Sequence, residues 1–291
     1  MNFKLKPYVF MTQIGLLLVA LSISSTSKAA DFQGNLNNRA NVSAPPLFSA
    51  GMFRLESERS YKLSLQMVLG ILNGHTQVER SHSLQSVTRF QKELQKVSNG
   101  SEKAGRALKK VNLALSDQVD GLNKLNAKTA SYMYDVNEDL LNKLNFLTFA
   151  IESESNDDVS HLVGLAMRQA SLAQRMAKII LLQSLDTSLA SKQGLQVDLT
   201  QSRIEFVNGM DLLSEEVSSD QALKFRLNLA MQQWKFYDIA LSALSAKSAK
   251  KLKTEDLRNI SSTSDRIAQM MIEIVRLSYG LSPDPTVIAE R

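Results

Sequence analysis

Two arginines five residues apart, Arg54 and Arg59, lie in the stretch SAGMFRLESERSYKL (49–63), among apolar residues that a core helix would bury. A guanidinium is permanently charged, and its planar fork matches planar oxyanions such as nitrate or a carboxylate. On a helix Arg54, Ser57, Glu58 and Tyr61 share a face at i, i+3, i+4 and i+7, while Arg59 points about 140° away from Arg54. One such helix presents one arginine to a dimer partner and the other to its own bundle. In a symmetric dimer two copies of Arg54 face each other, and an anion between them relieves their repulsion and favours one arrangement. The plainer alternative pairs Arg54 and Arg59 with Glu56, Glu58 or acids on neighbouring helices.

Other constellations carry less. Glu79-x-x-His82 and Asp158-x-x-His161 each place a carboxylate and a histidine at i, i+3, as di-metal bundles do with Glu-x-x-His. The two pairs differ in acid and fall near helix starts in different halves, which reads as capping and solvated pairing, with no metal or other cofactor expected. The sequence has no G-x-S-x-G elbow and no phosphate loop, so an enzyme is not expected. It has no cysteine, which excludes disulfides, thiolate metal sites and thiol nucleophiles.

The elements that position these residues are helices. The five prolines are Pro7, Pro45, Pro46, Pro283 and Pro285, so none interrupts residues 47–282. Apolar spacings of three and four recur: Leu84, Val87, Phe90, Leu94 and Val97 form one stripe. Leu162, Leu165, Gln169, Leu172, Met176 and Ile179 form another, with one polar member. Breaks at NGHT (73–76), SNGS (98–101), ESND (154–157), LDTS (185–188), SSDQ (218–221) and AKSAKKLKTE (246–255) carry helix-ending and capping residues. The pattern predicts helices at about 47–73, 78–97, 102–126, 129–153, 158–185, 190–214, 219–245 and 254–280; one long helix could instead run through 126–129. The fold class is therefore all-α, arranged as two tandem antiparallel four-helix bundles, with helices of about 25 residues roughly 38 Å long. The methionines and the single Trp234 read as core or interface residues.

The first thirty residues read differently. Lys4 and Lys6 precede an apolar run from Ile14 to Ile23, and Ser27 and Ala29 offer a small-residue cleavage site: a secretory signal peptide over 1–29. Its removal takes away three lysines and no acid, lowering the formal net charge from +5 to +2, which gives no support to nucleic-acid binding. With no later run long enough for a membrane span, the mature chain is expected to be a soluble periplasmic protein. It would comprise a flexible segment (30–46), two bundles (47–155 and 156–282) and a tail (283–291).

Sliding the chain by 116 residues lays AGMFRLESERSYK (50–62) over AMRQASLAQRMAK (166–178), so that Ala50 meets Ala166, Arg59 meets Arg175 and Lys62 meets Lys178. The first copy, Ala50-Gly51-x-x-Arg54-x-x-Ser57-x-Arg59, resembles the sensor motif of the PilJ/NarX-like family. That family comprises the periplasmic sensor domains of nitrate-responsive histidine kinases and of the type IV pilus chemotaxis transducer. The second copy resembles the pilus-transducer version of the motif, with Arg168, Gln174 and Arg175 in place, but Met167, Ala170 and Ala173 stand where the motif has glycine, arginine and serine. The resemblance implies a helical bundle sensing a small anion, nitrate first, at a homodimer interface. Arg54 would be the binding arginine, Arg59 a supporting one, and Gly51 and Ser57 would permit close helix approach and polar contact. It further implies signalling through a partner such as a membrane kinase, chemoreceptor or transporter component. The rival expectation is a ligand-free helical scaffold or adaptor of envelope machinery such as a pilus or secretion apparatus. Flanking salt bridges account for Arg168 and Arg175.

Overall fold

In a computed structural model the chain is described over residues 45–71, 75–155, 159–185, 189–245 and 252–281. The expected leader, most of the flexible segment, the C-terminal tail, Asp158 and the lysines at 247, 250 and 251 lie outside those residues.

Every helix or strand assigned among the described residues is an α-helix: α1 (Pro46–Val68), α2 (Thr76–Ser98), α3 (Glu102–Asn123), α4 (Ala130–Glu152), α5 (Ser160–Ser184), α6 (Leu189–Glu216), α7 (Gln221–Ser245) and α8 (Thr254–Ser278). Local chemistry fixes the ends. Pro46 opens α1, where its missing N–H costs nothing. Ser101 Oγ accepts from Ala104 N–H at 3.0 Å to cap α3. Asp220 Oδ1 accepts from the N–H groups of Ala222 and Leu223 at 2.8 and 3.0 Å to cap α7.

The first and last helices stop alike. Gly70 and Gly280 adopt φ of 66° and 64°. The next residues, Ile71 and Leu281, donate back to the carbonyls of Gln66 and Arg276 at 2.9 Å. The left-handed Gly70 ends α1 five residues before the predicted 73. The ambiguous stretch at 126–129 is a break: Asn126 Oδ1 accepts from Lys128 N–H at 2.9 Å and Thr129 N–H at 3.3 Å, a turn that separates α3 from α4.

Helices α1 to α4 and α5 to α8 form the two antiparallel bundles, and both belong to one compact unit, Ala44–Arg291. The two motif helices are the axis of that unit. Helix α1 packs on α2 and α4 of its own bundle and on α5 of the other; α5 packs on α6, α8 and α1. That placement explains why α1 buries residues nearly all round, charged ones included. A Cβ on Gly51 would lie 2.6 Å from Cβ and Cγ of Met167, so the backbone of α1 runs against the Met167 side chain. These are the two residues related by the 116-residue offset.

Candidate functional site

At its lysine and its second arginine, the repeated motif does similar work in the two copies. Lys62 and Lys178 are fully buried, at 0% exposure, and each reaches the fourth helix of the other bundle. Lys62 Nζ lies 2.7 Å from Asp265 Oδ2 and donates to Ser264 Oγ and the Ser261 carbonyl at 3.2 Å. Lys178 Nζ donates to Asn137 Oδ1 and Glu138 Oε1 at 2.5 and 3.0 Å and lies 2.6 Å from Glu58 Oε2. An ammonium has three donors, and each lysine meets three oxygens. The acceptors Ser264 and Asp265 are adjacent residues of α8, and Asn137 and Glu138 are adjacent residues of α4. The arginines follow suit: Arg59 Nε is 3.4 Å from Asp265, and Arg175 is 2.8 Å from Glu138. One position earlier, Gln174 donates to Asp265 Oδ1 at 3.1 Å.

The backbone of the motif is anchored in the same way. The Ser57 carbonyl accepts from Gln118 Nε2 on α3 at 3.1 Å, and the carbonyl of its counterpart Ala173 accepts from Tyr237 on α7 at 2.8 Å. The two motif helices are thus joined to each other's bundles by charged side chains that cross between them.

Burial shapes the titration of these groups. Burial lowers Lys62 against the opposing pull of Asp265. Burial would raise Asp265, but Lys62 and Arg59 outweigh it and hold the carboxyl below its ordinary range. Burial raises Glu58 in spite of Lys178, and raises Glu56 in spite of Arg59.

The candidate anion-binding residues separate in this frame. Ser57 turns its hydroxyl back to the Phe53 carbonyl at 2.8 Å, and Gly51 serves helix contact. Arg59 does not point into its own bundle, as helical geometry alone suggests, but crosses to α8, with Glu56 also 3.9 Å away. Arg168 is held by Glu205 at 2.7 Å, and Arg175 by Glu138; both are the salt bridges expected beside the apolar stripe.

Arg54 differs. Among the described residues no carboxylate lies within ion-pairing distance of it, and its Nε, like those of Arg59 and Arg175, is sealed from solvent without a hydrogen-bond acceptor. Burial first, then the like charges of Arg168 and Arg175, bring it down to about 10 against the opposing pull of Glu58 and Glu205.

Two cavities lie elsewhere. One, of about 180 Å³, is lined by Ser131, Tyr134, Asp135, Leu182, Leu195 and Asp198 together with Gly194; the other, about 420 Å³, is a shallow surface of α6. Trp234 stacks on Phe206 at 4.2 Å between ring centres, and His161 pairs with Glu216 at 2.7 Å. Sequence reasoning passed over Lys62, Lys178, Asn137, Glu138 and Asp265. The signal for the lysines was present, since the offset superposes one lysine on the other. No described helix is long and apolar enough to cross a membrane. Comparison with protein families, curated proteins and solved structures finds no match.

Proposed function

We propose that this chain is an exported, periplasmic, sensor-like protein that binds a small oxyanion, nitrate first, at the junction of its two motif helices and signals through a partner protein. The single observation that carries the reading is Arg54. Its buried Nε lacks an acceptor and no carboxylate pairs directly with it among the described residues, while the charges of Arg168 and Arg175 oppose its own and those of Glu58 and Glu205 favour it. An anion there supplies the acceptor and the directly paired charge, and its charge-assisted bonds gain from the low local dielectric. The PilJ/NarX-like resemblance supports the reading, since the family's binding arginine would fall at Arg54. In this chain the junction lies between two repeats rather than requiring two subunits, so a bound anion tightens α1 against α5. A membrane kinase, chemoreceptor or transporter component would read that change.

The test is the melting temperature of the mature chain against nitrate, nitrite and small carboxylates. A ligand at one hundred times its Kd adds about 2.7 kcal/mol of stability. The expected result is a rise for one anion that disappears in Arg54→Ala.

A second reading, a ligand-free scaffold or adaptor of envelope machinery, is favoured by one observation: Arg54 lines neither of the two cavities described above. It predicts no response to any of these anions and full function in Arg54→Ala.

A further inference from the structure

We propose that the outward face of α7 is a docking face for a single amphipathic helix, with acidic flanks, on another protein. The inference stands apart from any ligand at Arg54. Helix α7 has two apolar stripes. One is buried and includes Leu223, Leu227, Ala230, Tyr237, Leu241 and Leu244. The other faces solvent: Phe225, Phe236 and Ile239 are 59%, 70% and 67% exposed, and the partly buried Leu229 lies between them.

Their positions, with Gln232 completing the row, step by four, three, four and three residues. That spacing is the seam of a helix that packs against one other helix. The seam is also narrow. A helix that lies on a membrane needs a broader apolar face, whereas a strict seam suits knobs-into-holes contact with a single partner. It runs for about 21 Å at 1.5 Å per residue, enough for a modest, reversible contact.

Charge selects the partner. Lys224 and Lys235 are exposed beside the seam. The only acid on α7 is Asp238, and Arg203 of α6 holds it through Nε and a terminal nitrogen, both at 2.7 Å. Arg226, on the other side, is already paired with Glu273 at 3.0 Å. A second copy of this face brings no carboxylate to either lysine, so self-pairing leaves them unmatched. A helix with glutamate or aspartate at its flanking positions matches both.

The test uses two synthetic helical peptides with the same leucine seam, one flanked by glutamate and one by lysine, titrated into the mature chain and followed by fluorescence anisotropy. The glutamate peptide is expected to bind saturably, and Phe236→Asp to weaken it about tenfold or more, as loss of an aromatic anchor does. Lys235→Glu should weaken the glutamate peptide and strengthen the lysine peptide. Phe236→Ser provides a milder second variant, and unchanged circular dichroism establishes that each variant is folded. Equal binding of the two peptides, binding indifferent to Phe236, or no binding would overturn the proposal. So would self-association or capture on anionic phosphatidylglycerol vesicles, if either depends on Phe236.

Discussion

The charges at the start of α1 serve the pairing of repeats, and Asp265 shows it most plainly at the residue scale. It faces Lys62, Arg59 and Gln174 together, three side chains of two motif copies. Asp265→Asn leaves Lys62 fully buried without its counter-charge. Removing one partner of a buried pair costs roughly 3–5 kcal/mol, and the partial exposure of Asp265 places this change near the lower end. The pH dependence has a definite sign. The folded carboxyl sits below its ordinary value, so its stabilisation is complete above the unfolded value of about 3.9 and is lost as pH falls through the lower folded value. The gap in melting temperature between the natural chain and Asp265→Asn should be constant at pH 5 and above, by about one unit's margin over that unfolded value, and narrow below pH 4. Glu56 and Glu58, raised by burial, act with the opposite sign, but they are present in both chains and largely cancel in the difference. A gap that stays constant to the lowest pH would show that the fold does not shift the Asp265 carboxyl from its unfolded value.

At the scale of elements, the contact that decides how α1 meets α5 is Gly51 against Met167. Gly51→Ala gains helix propensity of up to about 1 kcal/mol. The new methyl, however, meets Cβ and Cγ of Met167 at 2.6 Å as well as its flexible end at 3.3 Å, and overpacking of this kind costs about 1–3 kcal/mol. The expected outcome in urea denaturation is a net loss. A double-mutant cycle with Met167→Gly should show coupling of about 1 kcal/mol, because the two residues touch. Simple additivity would mean that the helices sit farther apart. The helices themselves were legible in the sequence because their causes are local: proline-free runs, three-four spacing, and caps such as Ser101 and Asp220. Helix ends are legible only where a cap declares them, and the end of α1 before Gly70 is not, because a positive φ is a backbone property. The direction of Arg59 was not legible at all. A helical wheel fixes its angle to Arg54 but not which helix stands at that angle, and Asp265 comes from the far end of the chain. The offset of 116 residues was readable, yet its meaning was not, since superposed lysines can be equivalent without touching the same kind of partner.

For the whole molecule, the crossing charges bind the fate of one bundle to that of the other. If the second bundle melted alone, Lys62 and Arg59 would lose Asp265, and Glu58 would lose Lys178, while all three remained held by a folded α1. Melting the first bundle alone strands Lys178, Arg175 and Asp265 in the same way. Each half-melted state therefore carries uncompensated charge at a formerly buried junction as well as exposed apolar surface. Either penalty is comparable with a typical domain's entire margin of stability. The two bundles should unfold as one unit despite their tandem arrangement, giving a single calorimetric transition whose van't Hoff and calorimetric enthalpies agree. Two separable transitions would show that the junction is weak. The same coupling constrains function. An anion at Arg54 would act on the junction that both bundles share, so it should raise the midpoint of that one transition without splitting it, and Arg54→Ala should abolish the shift while leaving the transition single.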